Sequence, residues 1–535
     1  MGVYLGLEIM PHCIGNDEWH EAYEDSLALL KAWPDPLMGI ERERRGSLER
    51  TVYSRQLEHG RDDPSKRHWH VVGDFKTKET GESFVLHYDL NHYLSGGPRP
   101  SKSSRDSDII ASLINEDPDY RKVFCEKTQG HLYHFPILGV AMLIEARFPR
   151  HAHASGDIDI HQAKRAQDHV RAVTGKALDL PVCVDAGRLL QRIQRHCHGK
   201  EAVKRFLEVH RGGFREGFKA LHSMCANDFA EWFVDKLRSY RSPGQLGAID
   251  LCMDWLGATR DLRTLCETAC LRDDGPRFDP VGFAGALAST WISVDESLRG
   301  VLGPFCKPEG EAGTVMSQLG SALFDIGGLK GRDMEFHMNE EDILEVFSRL
   351  FPDRLDPMRQ AFKAKAAAIK GDLEECREGA EQWAGRCEEE PEPGDGSSVM
   401  ALESFGKASP RQKAMLETVA WTAARARSMI LAEQPGFLEG PADRLIERIA
   451  MATERHGLTL TEDAWKWLDR ESGQGFLQYL LSLAAIGSHE QAFWNARKGM
   501  LENRDLCLAA FEMSNDEAFL AKMEALGKDA AGRTA

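Results

Sequence analysis

Glu388-Glu389-Glu390-Pro391-Glu392-Pro393-Gly394-Asp395-Gly396-Ser397-Ser398-Val399-Met400 divides this chain in two. Four glutamates, one aspartate, two prolines and two glycines precede the first apolar side chain, Val399. Proline removes backbone donors, glycine raises the entropy lost on ordering, and like charges repel, so the run cannot bury enough surface to order itself. Residues 388–402 therefore read as an acidic flexible linker, its charge supplied by Glu388, Glu389, Glu390, Glu392 and Asp395.

After the linker, helix-start signals are frequent. Ser409-Pro410-Arg411-Gln412 is a capping box with proline at the first helical position. Ser488 with Gln491 and Ser514 with Glu517 repeat the box, and Thr461 can cap a helix carrying Trp465 and Leu468. The spacing predicts helices over 410–433, 441–456, 462–470, 475–486, 489–504 and 516–526. Together they make a C-terminal helical bundle over 403–535, with Trp421, Trp465, Phe476, Tyr479, Phe493 and Trp494 in its core.

Before the linker, residues 339–387 read as a helical segment ending in a long helix opened by Asp356-Pro357, and 106–338 as a mainly helical middle domain. Residues 1–95 read as an α+β domain with an antiparallel sheet. Strands are expected over 3–9, 47–57, 68–75 and 83–90, the last from Phe84, Leu86, Tyr88 and Leu90 alternating with Val85, His87 and Asp89. A helix over 17–32, capped by Asn16 and stopped by Pro34 and Pro36, places Trp19, Tyr23, Ser26, Leu27 and Leu30 on one stripe. Arg42-Glu43-Arg44-Arg45, balanced by Glu41 and Glu49, reads as a solvated turn. The fold class expected is an α+β N-terminal domain followed by mostly α, with a helical middle region and a C-terminal helical bundle.

A chain of 535 residues is several domains long, since single cores rarely exceed roughly 250–300 residues. The formal net charge of −17 argues against direct nucleic-acid or anionic-membrane binding and fits protein partners better. No window reaches the roughly 18 apolar residues of a membrane span, and Met1 to Glu8 lacks the basic segment of a signal peptide. The 12 cysteines form no disulfide framework, as in reduced, cytoplasmic proteins.

The sharpest chemical pattern is His151, His153, Asp157, Asp159 and His161, which share one face of an extended chain and suit zinc or iron. Ile158 and Ile160 point the other way and Gly156 breaks the register, so an edge strand with a wet face, running into a helix near Asp159, accounts for the same residues. Cys266 and Cys270 lack a second pair with zinc spacing and read as buried thiols. Gly-x-Ser-x-Gly, Walker A and His-Glu-x-x-His are absent, and Gly282 and Gly285 lack the third glycine of a dinucleotide fingerprint. No catalytic residue and no cofactor is assigned.

The linker is then either a passive tether or a regulated cut site, because connections between stable bodies are preferred sites of nicking. Val399, Met400, Ala401 and Leu402 offer small and apolar side chains to protease subsites as the acidic run ends. In layout and size, and in this linker around Met400, the chain resembles the protein substrate of the type III-E CRISPR system, which an RNA-guided, caspase-like protease cuts. The resemblance implies an antiviral-defence effector that is not itself an enzyme. Its partners would be the guide-RNA effector with its protease, and a sigma factor that the intact protein restrains. Two rival expectations remain: a metal-dependent hydrolase using the His151–His161 cluster, and a passive two-body scaffold.

Overall fold

Residue periodicity accounts for much of the architecture in the computed structural model, which describes residues 3–46, 48–94, 107–115, 119–299, 336–384, 399–488 and 490–533. An N-terminal α+β region is followed by mostly helical regions, as expected. The chain opens with β1 (Tyr4–Ile9), whose Leu5, Leu7 and Ile9 are fully buried. In α1 (Asn16–Lys31) the stripe of Trp19, Tyr23, Ser26, Leu27 and Leu30 is buried, but the cap position is Gly15 rather than Asn16 and carries no side-chain bond.

β2 (Leu37–Arg45) and β3 (Leu48–Ser54) form an antiparallel hairpin closed at Arg45↔Leu48, with Gly46 at φ 62° in the turn. The expected solvated turn at Arg42–Arg45 is therefore strand. Alternating charges hid it, because both faces of this part of β2 carry polar side chains and only the ladder to β3 declares it. β4 (Glu58–His59), β5 (His68–Asp74) and β6 (Thr80–His87) extend the same sheet, both β4 and β6 pairing with β5. Beyond α2 (Asn91–Leu94) and α3 (Ile109–Ile114), β7 (Arg121–Lys127) was not anticipated: only Phe124 of its seven residues is buried.

Helix α4 (His134–Arg147) is buried from His134 to Glu145, as expected of a helix apolar on every side. β8 (Ala152–Gly156) and α5 (Ile160–Thr174) follow. β1 is the centre of a three-stranded antiparallel sheet in the order β7-β1-β8. The first core runs from Leu5 to Val184, so the α+β body does not close at residue 95 but takes in β7, α4, β8 and α5.

The second core is helical. It joins α3 to α6 (Ala186–Ile193), α7 (Gly199–Val209), α8 (Phe214–Leu237), α9 (Leu246–Thr259), α10 (Leu262–Cys266), α11 (Pro280–Ala288) and α12 (Glu296–Arg299). Ile343 and Phe347 of α13 (Glu340–Leu350) and Met358, Phe362, Ile369 and Leu373 of α14 (Leu355–Ala384) belong to it too. The segment expected to stand apart at 339–387 is thus, where described, part of the middle domain's packing. No described helix is long and apolar enough to cross a membrane.

The third core is the C-terminal bundle: α15 (Pro410–Glu433), α16 (Ala442–Arg455), β9 (Leu460–Thr461), α17 (Glu462–Leu468), α18 (Gln474–Ala485), α19 (Gln491–Leu501), α20 (Arg504–Ser514) and α21 (Glu517–Arg533). The Ser409–Gln412 capping box forms with both bonds, and Thr461 caps α17 through the Ala464 amide. Trp465, Phe476, Tyr479 and Phe493 are buried as expected, while Trp421 and Trp494 are only partly covered. Among the described residues, Val52 of β3 is the one fully buried member this core takes from outside 408–510.

Candidate functional site

Glu388, Glu389, Glu390, Glu392 and Asp395 lie outside the described residues. The segment expected to present a cut site does not. Val399–Ala401 is a 3-10 turn in which Met400 is only 4% exposed. A Cβ built on Gly499 of α19 would stand 3.1 Å from the Met400 amide nitrogen, so the absence of a side chain there is what lets the turn sit on the helix. Asn503 Nδ2 donates to the carbonyls of Leu402 at 2.8 Å and Glu403 at 2.9 Å. Val399 to Leu402 is therefore seated on the bundle, not held extended in solvent, and a protease would have to lift it.

The bundle is also clasped to the N-terminal sheet. Leu460 and Thr461 of β9 pair in parallel with Val52 and Tyr53 of β3, extending the sheet by one short strand. Beside this, Arg50 is only 2% exposed. Its guanidinium donates to Asp469 through two bonds of 3.0 and 2.9 Å and to Glu43 Oε2 at 3.1 and 2.8 Å, and lies 4.1 Å from the Trp465 ring. Arg45 pairs with Asp469 as well. Arg55 reaches Glu462 at 2.5 Å and Asp463 at 2.6 Å. The sheet supplies the cations and the start and end of α17 the carboxylates, the planar fork of arginine matching each carboxylate edge.

Behind the clasp, buried Glu502 accepts from the Thr461 amide at 2.8 Å and from its hydroxyl. Lys498 lies 4.8 Å over the Tyr53 ring, and burial pushes its ammonium down to about 8 against the pull of Glu502. An interface with two apolar side chains of β3, Val52 and Leu48, and several charge pairs is of the releasable kind found between domains.

The histidine and aspartate candidates are dispersed. His153 sits in β8 directly opposite Glu8 of β1, both buried. Burial, with Arg192 and Arg211 nearby, holds its imidazole neutral down to about 3. At His153 the wet strand face expected here is instead buried, beside Arg192, Arg211 and Asp108, whereas Asp157, Asp159 and His161 are exposed. Asp157 accepts from the Tyr4 amide at 2.9 Å, and Asp159 caps α5 through the amides of His161 and Gln162. Both carboxylates are thus engaged locally. Among the described residues, no three His, Cys, Asp or Glu side chains are placed to hold a metal. His151 and His161 join no such group.

The functional residues that escaped sequence reasoning are Arg50 and Asp469. Gly46 between two β-prone runs was the available hairpin signal; nothing local marks the Asp469 partner 419 residues away. No protein-family model, curated protein or solved structure matches the chain.

Proposed function

We propose that the chain is a non-enzymatic cytoplasmic interaction protein whose state is set by proteolysis at the connection before the C-terminal bundle, as its resemblance to the type III-E CRISPR protease substrate implies. The observation that carries this reading is the near self-sufficiency of the third core: among the described residues it takes buried Val52 and partly buried Leu48 from β3 and otherwise draws on residues 399–519. A cut before Val399 therefore leaves both bodies folded. It does not free them at once, because the β3–β9 pairing and the arginine–carboxylate clasp persist. Cleavage converts a tethered contact into a bimolecular one, which dilution or a competing partner then opens.

Two positions for the cut follow. Within 388–398 a protease acts on the acidic run itself. At Met400 it must first displace the turn from Gly499 and Asn503, so binding of the protease-bearing effector would do the unseating. The partners in this reading are the RNA-guided effector with its caspase-like protease and, for one of the released surfaces, a sigma factor. The test is binding by the intact and the cut chain. Partner capture that changes on cutting supports the switch; capture identical before and after, with a neutral flexible replacement of 388–398 fully functional, makes the connection a passive tether.

A further inference from the structure

Histidines gather on one face at the edge of the N-terminal sheet. His59 of β4 stands directly opposite His68 of β5, and His68 directly opposite His87 of β6. Residues directly opposite share a face, so one row of imidazoles crosses three strands, with ring centres 5.3 Å apart at both steps. His70, two residues along β5 on the same face, has its ring 6.4 Å from that of His59. His92 of α2 stacks on His87 at 3.5 Å. Trp69 and Leu86, on the other face, are buried in the first core, so core packing does not account for the row.

Few acids are placed to offset charge on these rings. Glu41 of β2 and Glu58 of β4 are the carboxylates toward His59, and Asp89 the one toward His87. Glu58 is spent on Arg61 and Arg67, and Asp89 accepts from the Asn91 amide at 3.0 Å. Among the described residues, no carboxylate pairs with His59, His68, His70 or His87. From α2 comes a further imidazole rather than an acid. Buried His59 Nε2, His70 Nε2 and His87 Nδ1 have no hydrogen-bond partner, while His68 Nδ1 lies 2.8 Å from the Lys66 carbonyl. Burial first, and the facing imidazoles next, hold His70 and His87 down to about 4 and lower His59 as well.

We infer that the row is an acid-operated release at the edge of the sheet: protons taken up by facing imidazoles set like charges opposite one another and part β4, β5 and β6 there while the rest of the fold stands. Like charges directly opposite destabilise a strand pair, and a strand that opens returns its histidines to water, where they accept protons freely. Histidines held below their ordinary 6.5 stabilise the closed edge fully above pH 6.5 and lose that stabilisation as pH falls towards 4. β4 gives first, because it is two residues long and, among the described residues, has β5 as its one strand partner. Each proton that enters the closed row opposes the next, whereas the open edge takes all of them. Opening is therefore steeper with pH than the titration of one histidine.

The test is hydrogen exchange of the full chain at pH 7 and pH 5, read by mass spectrometry and corrected for the intrinsic rate at each pH. Protection over 58–59, 68–74 and 80–87 should fall about 10-fold or more at pH 5, while α15 in the bundle keeps its protection. His68→Gln removes the charge that faces both neighbours and should shrink the acid-induced loss about 3-fold or more. His59→Gln, half-buried at the edge, gives a second reading in the same direction, and His222→Gln on α8, exposed and outside the row, should change nothing. Equal protection over β4 to β6 at the two pH values, a loss shared equally by α15, or a loss untouched by both His68→Gln and His59→Gln would overturn the inference.

Discussion

Replacing Arg50 by alanine removes the centre of the clasp. Its guanidinium makes two bonds to Asp469, two to Glu43 and a cation–π contact with Trp465. Breaking a buried pair by deleting one partner costs ~3–5 kcal/mol. Here the cost is lower, because the Asp469 side chain is 23% exposed and Arg45 still neutralises it. We take about 2–3 kcal/mol for the contact between bodies, a weakening of roughly 30- to 150-fold at 1.4 kcal/mol per decade. The assay uses a chain with a protease site introduced in 388–398, cut after purification, and measures association of the two pieces by size exclusion and interferometry. Arg42→Ala is the control: its pair with Glu49 spans 3.7 Å with side chains 73% and 60% exposed, worth at most ~0.5 kcal/mol. If the cut Arg50→Ala and wild-type proteins dissociate alike, the clasp does not hold the bodies and the reasoning fails.

Gly499→Leu should drive the Val399–Ala401 turn off α19, so cleavage by a broad-specificity protease at 399–402 becomes the first event; a digestion pattern unchanged from wild type would refute the seating of Met400 on Gly499. Thr461→Val removes the α17 cap and one of the Glu502 bonds, and thermal unfolding should register a loss of about 2 kcal/mol, whereas an unchanged midpoint would place the β9 contact elsewhere. Acid should destabilise the chain. His134 and His153 are pushed down to about 4 and about 3, chiefly by burial, so the unfolded chain binds their protons first. Their stabilisation is full above pH 6.5 and drains as pH falls, on the order of 3 kcal/mol each by pH 4. Glu8, lifted to about 7 by burial, works the other way, its stabilisation draining as pH rises from 4.5 through 7. His70, His87 and His210, each held down to about 4 chiefly by burial, act in the same direction, so five histidines against Glu8 predict a net fall in unfolding temperature from pH 6.5 to 4.5; a flat or rising profile would contradict their burial in the neutral form.

What could be read from the chain was what local chemistry determines. The stripe of α1, the all-apolar face of α4, the Ser409 box and the helix start at Asp159 each follow from a few neighbouring residues, and each is found. What failed was non-local. β7 carries one core-facing side chain and declares itself only by pairing with β1. The charged end of β2 alternates without apolar residues, and its meaning comes from Asp469, far along the chain. The wet face assigned to His153 was reasonable for an isolated edge strand, but residues far along the chain, Arg192 and Arg211 among them, stand against it and it is buried. Met400, read as open because it follows an acidic run, is claimed by a glycine in a helix a hundred residues later.

The measurement that bears most directly on the account is limited proteolysis of the intact chain, with fragments identified by mass and the cut product passed over size exclusion at low and at high salt. The account predicts a first cut between 385 and 398 and two folded pieces. They should travel together at low salt and part when salt screens the arginine–carboxylate pairs. First cuts elsewhere, with 385–398 protected, or pieces that separate at once at low salt, would contradict it.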